Sequence, residues 1–134
     1  MYNKELRDLA LYRLEKAKSD LNASKKTLEL EMYDTAANRS YYAIFHAARA
    51  VLALDGEDYK KHSGVISNFQ KNYIKTGVLE KNLSNIIKLA FDIRNECDYE
   101  DFYIISRDDV IRQVAEAGIF LSHIEEYLEK ELNK

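Results

Sequence analysis

The stretch Asp34–Leu54, DTAANRSYYAIFHAARAVLAL, restricts the possible folds more than any other part of the chain. Wound at about 100° per residue, it presents three faces. Ala37, Tyr41, Ile44, Ala48, Val51 and Leu52 form an apolar stripe, and Ser40, Ala43, Ala47 and Ala50 form a stripe of small side chains. Arg39, Tyr42, His46 and Arg49, three and four apart, form a third stripe rich in hydrogen-bond donors. A surface helix carries one apolar face and one charged face. Two packing faces require neighbours on both sides, and small residues let one neighbour approach closely. The expected element is therefore a central helix, with Asp34 as N-cap and Gly56 as the stop just past its end. Its third stripe marks a candidate site along Arg39, Tyr42 and His46.

The rest of the composition agrees with long helices. Among 134 residues there is no proline, and only four glycines offer turns. Hydrophobic residues make up 46%, enough for a packed core, and the length suits a single domain over residues 1–134. A net charge of −3, with both signs interspersed, argues against a broad nucleic-acid-coating surface and leaves room for a local basic pocket. The single cysteine, Cys97, excludes an intrachain disulfide framework and a multi-cysteine zinc site, and reads as a small buried hydrophobe. No apolar run approaches the roughly 20 residues that cross a bilayer, so no membrane association is expected and the expected location is cytoplasmic. The three histidines lack metal-ligand spacing, and neither a metal nor a cofactor is expected.

In chain order, one helical pattern runs from about Tyr2 to Glu31, and the short link through Met32 and Tyr33 makes the first two helices antiparallel. After the charged segment following Gly56, a third helix is expected from His62 or Ser63 through Ile74, with Thr76-Gly77 as its stop. A fourth is expected from about Leu79 to Cys97; Arg94 leaves it from the apolar side, an unusual place for a charge. The tyrosine-rich segment DYEDFYIIS reads as a loop with a short turn. Ser106 with Asp109 forms a weak capping box for a last helix whose Val110, Val114, Ala117, Leu121, Ile124 and Leu128 make a core seam. The expected fold is an all-α, up-and-down bundle of about five helices.

Three words of the sequence, ANRSYYAIFHAARAVL, KHSGVISNFQKNYIKTGVLE and LAFDIRNECDYEDFY, occur in order and together resemble the HEPN domain family, in particular its small stand-alone prokaryotic proteins. The resemblance implies a helical bundle that pairs as a homodimer, often encoded beside a minimal nucleotidyltransferase as a toxin–antitoxin pair. Many such proteins are ribonucleases. In catalytic members an arginine is followed after four to six residues by a histidine, and two such motifs meet across the dimer. The arginine holds the phosphate while the histidine helps to activate a ribose 2′-hydroxyl. Carried onto this chain, the arginine is Arg94 and the polar residue after it is Asn95. Positions 99, 100 and 101 are Tyr, Glu and Asp, so the histidine is absent. Tyrosine, with an ordinary pKa near 10, is a poor base at neutral pH.

The candidates divide accordingly. Arg94 either binds phosphate through its planar fork or pairs with an acid such as Asp98. His46 could supply the missing base from another helix, or be a hydrogen-bonded core residue. Tyr99 either caps the bundle end or joins the chemistry, and in some relatives a tyrosine hydroxyl near this motif receives AMP from the partner enzyme. Arg39 and Arg49 with Tyr42 could line a groove for RNA phosphates and bases, or form salt bridges to Glu15 and Asp20 of the first helix. His62 opens a helix, where its imidazole is expected to do no more than bond the adjacent loop. The reading is an RNA-directed protein with a degenerate ribonuclease motif, of the metal-independent endoribonuclease type if active. Its catalytic candidates are Arg94, Tyr99 and His46, and its RNA- or nucleotide-binding candidates are Arg39, Tyr42, Arg94, Asn95 and Asp98. The alternative is a non-catalytic module that binds nucleotide, RNA or a nucleotidyltransferase.

Overall fold

The computed structural model describes residues 2–99 and 103–134, with Tyr99 described by its backbone alone. Five α-helices follow one another: α1 (Lys4–Glu29), α2 (Tyr33–Leu54), α3 (His62–Phe69), α4 (Asn82–Tyr99) and α5 (Arg107–Leu132). Among the described residues there is no strand, and the fold is the all-α bundle that the patterning predicts.

Helix α2 is the centre. Fifteen of its 22 residues are buried, and Ala36, Ala43, Ala47 and Ala50 have no exposed surface. The small stripe thus meets its close neighbours, while Tyr41, Ile44, Val51 and Leu52 fill the core with Phe69, Leu83, Ile87, Phe120 and Ile124. Each large apolar side chain buried this completely contributes roughly 1.5–3 kcal/mol. Arg13 meets Arg49, whereas Asp20 meets Arg39 and His46, which is the register of an antiparallel α1–α2 pair.

The link between these helices differs from expectation. Asp34 is not the N-cap: α2 begins at Tyr33, its N-cap is Met32, and no side chain caps it. The turn closing α1 is tight, with Glu31 N–H bonded to the Leu28 carbonyl at 3.0 Å and Met32 N–H to that of Thr27 at 2.9 Å. The Met32 carbonyl already accepts from Ala36 N–H at 2.9 Å. No residue is left over for a separate cap. Asp34 instead lies in the first turn, where its charge still favours the helix dipole.

The third helix also departs from the pattern. Its α-helical part stops at Phe69, and Gln70–Ile74 continue as a π turn, marked by Lys75 N–H reaching the Gln70 carbonyl at 2.9 Å. Helix α4 starts three residues later than expected, because Leu79 N–H is tied to the Tyr73 carbonyl at 2.8 Å. It runs on to Tyr99, taking Asp98 out of the expected loop. Ser106 does cap α5, accepting from Asp109 N–H at 3.1 Å, while the Asp109 carboxylate turns to Arg112. Residues 100–102 of the tyrosine-rich segment lie outside the described residues. Cys97, expected to be buried, is exposed.

Candidate functional site

A plate of aromatic rings stands where α2, α3 and α4 meet. Tyr41 and Phe45 are one helical turn apart and stack, with ring centroids 5.8 Å apart and an interplanar angle of 20°. The His62 imidazole, from the first turn of α3, stacks on Phe45 at 4.1 Å and on Tyr41 at 5.8 Å. The Tyr41 hydroxyl lies 2.8 Å from His62 Nδ1. Tyr42 meets the same imidazole edge-on at 5.8 Å. His62 is therefore fixed in both plane and rotation.

Guanidinium groups cover this plate. Arg94 Cζ, from α4, lies 5.4 Å from the Tyr41 ring centre, and Arg49 Cζ lies 5.9 Å from that of Phe45. Such contacts hold a cation by the ring quadrupole without neutralising it. Arg94 Nε is 3.3 Å from Asp98 Oδ2 but lacks an aligned hydrogen bond, so the contact is electrostatic. The Asp98 side chain is 42% exposed, which makes this a screened pair of small net worth. Burial first, then the charges of Arg94 and Arg49, push the His62 pKa below its ordinary value, and Asp98 partly opposes them. The imidazole is neutral at pH 7. Burial raises the Tyr41 hydroxyl pKa, so that group stays protonated.

Beside Arg94, a cavity of about 200 Å³ opens between α2, α4 and α5. Asn38, Asp34, Asp98 and Gln113 line it together with Arg94. Gln113 is 2% exposed; its Nε2 donates to the Ala37 carbonyl and to Ser40 Oγ, both at 2.9 Å. These acceptors fix the amide, and among the described residues its Oε1 is buried without a partner.

The donor stripe of α2 divides into two parts. Arg39 donates to Asp20 of α1 at 3.0 Å and to Asn38 Oδ1 at 2.6 Å, with its Cζ 5.4 Å from the Tyr42 ring centre. His46 is 9% exposed, and its Nε2 is 3.8 Å from Asp20 Oδ2. Its pKa is pushed down to about 4 by burial, then by Lys16, Arg49, Arg13 and Arg39, so the contact with Asp20 is not an ion pair near neutrality. Lower down, Arg13 Nη2 and Arg49 Nη2 share one oxygen of Asp58, at 3.5 and 3.1 Å. Two guanidinium groups on one carboxylate leave a local surplus of positive charge.

The expected site residues thus fall into groups. Arg94 and Asp98 are together, with Arg94 over the ring of Tyr41, a residue expected only in the core; Arg39, Tyr42 and His46 form an adjoining face; Asn95 is half-buried on α4. The side chain of Tyr99, and Asp101, lie outside the described residues. The anticipated salt bridge from α2 to Asp20 is made by Arg39, whereas Arg49 goes to Asp58 and Glu15 pairs with Lys18. His62, expected to bond no more than the adjacent loop, instead bonds Tyr41, 21 residues away, and stacks on Phe45, because only the fold brings these residues together. The signals present in the sequence are the spacing of Tyr41 and Phe45, four apart on one helix, and the place of His62 in the word KHSGVISNFQKNYIKTGVLE.

The fold and site define a small helical bundle that gathers arginines on an aromatic plate near the end of its fourth helix. Residues 10–127 match the HEPN domain. The chain is 35% identical to a protein of Methanocaldococcus jannaschii named "Putative toxin MJ0142", over 95% of this chain and 84% of that one. It is 32% identical to a UPF0332 protein of Thermotoga maritima, covering 85% and 86% respectively. It is also 34% identical to a UPF0332 protein of Archaeoglobus fulgidus, covering 81% and 86%. The chain belongs to the HEPN domain family. Among the described residues, no helix is long and apolar enough to cross a membrane.

Proposed function

We propose that this chain is an RNA-directed HEPN protein of a toxin–antitoxin or defence module, acting as a homodimer, and that Arg94 holds an RNA phosphate. The observation that carries this reading is the state of Arg94. Its guanidinium is braced by an aromatic ring and one screened carboxylate and lines a cavity, and among the described residues its terminal nitrogens have no hydrogen-bond partner. A planar fork held in this way suits a phosphate. Asn95 and Asp98 flank it on the same helix, and Tyr42 with Arg39 extends the surface for stacking with bases. The printed name of the Methanocaldococcus relative supports a toxin module, and a minimal nucleotidyltransferase is the partner that the family resemblance suggests.

The reading is for binding rather than turnover by the isolated chain. The histidine that cleaving relatives carry after the arginine is absent. His46, the candidate substitute from another helix, is neutral with a pKa of about 4, which makes it a weak base. Fluorescence anisotropy with a short labelled single-stranded oligoribonucleotide tests the proposal. Arg94→Ala, confirmed to fold, should lower affinity by about tenfold or more, the usual effect of losing a charge-assisted pair of bonds. Equal affinity in parent and variant would remove Arg94 from the site.

A further inference from the structure

We propose that His62 is a further donor of the phosphate site, offering a neutral Nε2–H to an oxygen of the RNA strand beside Arg49 and Arg94. The inference rests on the RNA reading above and names a group that the family's arginine motif does not contain.

The hydrogen bond between Tyr41 and His62 carries the argument. The Tyr41 hydroxyl is in a residue 1% exposed, and His62 Nδ1 is its one hydrogen-bond partner among the described residues. A buried hydroxyl gives its proton to an acceptor wherever one is present. With Nδ1 as the acceptor the buried tyrosine proton is paired, whereas a hydrogen on Nδ1 would leave that proton without an acceptor among the described residues; the tautomer is therefore assigned with the lone pair on Nδ1. In a neutral imidazole the other nitrogen then bears the hydrogen. Nε2 makes no hydrogen bond among the described residues, and His62 is half-buried.

The surroundings keep the ring neutral and place cations on the rings it stacks against. Arg94 from α4 and Arg49 from α2 lie over the two rings on which His62 stacks, and both charges oppose its protonation, with Asp98 of α4 the acid acting the other way. Arg49 shares Asp58 with the buried Arg13, so part of its charge is uncompensated. An oxyanion meeting this plate finds two guanidiniums and one neutral N–H, held in place before it arrives. The same tautomer denies His62 the role of general base at Nε2, because that nitrogen is already protonated. The site is therefore built to grip a phosphodiester, and a bound strand stays intact at this imidazole.

The test joins a binding series to a spectrum. Parent, His62→Phe, His62→Gln and Arg94→Ala are titrated into a short fluorescein-labelled oligouridylate, and ¹⁵N–¹H spectra of the histidines are recorded with and without the RNA. Glutamine can place an amide N–H near the Nε2 position, while phenylalanine keeps only the stacking. The expected result is a loss of about tenfold or more for His62→Phe and retention within about threefold for His62→Gln, in line with one hydrogen bond to a charged group. The spectra should show a protonated Nε2 in the free protein, with its proton resonance displaced by RNA. Unchanged affinity in His62→Phe, while Arg94→Ala loses binding, would overturn the role of His62 and leave the RNA reading standing. An unprotonated Nε2 at neutral pH would overturn it as well. If His62→Phe does not fold, the spectra decide: an Nε2 proton indifferent to RNA sinks the inference. No binding by the parent overturns both this inference and the function it rests on.

Discussion

At the scale of single residues, the two histidines of the central region are held neutral by different surroundings. His62 keeps one nitrogen towards a tyrosine and is half-buried, whereas His46 is buried, feels the charges of Lys16, Arg49, Arg13 and Arg39, and meets Asp20 as its one acid among the described residues. Asp20 spends its charge on Arg39, which is nearer. The His46 pKa, about 4 in the fold against 6.5 for a free histidine, makes stability depend on pH. Between those values the unfolded chain binds the proton and the folded chain does not. The contribution is thus complete above about pH 6.5 and is lost as the pH falls towards 4. Replacing His46 by Gln removes that component. Urea midpoints measured across the window should therefore decline less steeply for His46→Gln than for the parent, and parallel profiles would show that the imidazole is not held neutral. The spacing of Arg39, Tyr42 and His46 was visible in the sequence. Which carboxylate each would meet was not, because a partner on another helix leaves no periodic trace.

At the scale of elements, two helix ends use the same turn with different residues. After α2, Gly56 takes a φ of 72°, its N–H bonds to Ala53, and Glu57 N–H bonds to Leu52. After α1, Glu31 takes a φ of 61° in the same pattern, with bonds to Leu28 and Thr27. A side chain in the left-handed region is penalised by its Cβ, and glycine is not. Glu31→Gly should therefore stabilise the fold by about 0.5–1 kcal/mol, after the added chain entropy of glycine in the unfolded state is discounted. Chemical denaturation checks this, and a destabilised variant would mean that the Glu31 side chain makes an offsetting contact. Sequence reading found the Gly56 stop because glycine announces a left-handed turn. It placed a cap on Asp34 because nothing announces Glu31. The π turn at Gln70–Ile74 was equally hidden, since one extra residue per turn barely alters an apolar spacing set by Phe69, Tyr73 and Ile74.

At the scale of the whole molecule, the bundle was legible because its causes are repetitive. A chain without proline, with few glycines and with a helix carrying two packing faces leaves little besides antiparallel helices. The site was legible only in its arginines and its tyrosine pair. Its plate depends on α3 arriving beside α2 after a loop of no regular pattern, and its charge balance depends on Asp58 in that loop being shared by two arginines. Net charge leaves room for this: the chain is acidic overall, with a charge of −3, yet Arg94 and Arg49 lie over neighbouring rings of one plate. Binding that relies on such a cluster must release counterions from the nucleic acid. The salt dependence of RNA affinity in parent and Arg94→Ala is accordingly the most direct measurement. The account predicts a linear fall of log affinity with log salt in the parent, and in the variant a slope shallower by about 0.7 for each phosphate that Arg94 neutralises. Identical slopes, with or without a change in affinity, would mean that Arg94 touches no phosphate, and the central claim would fail.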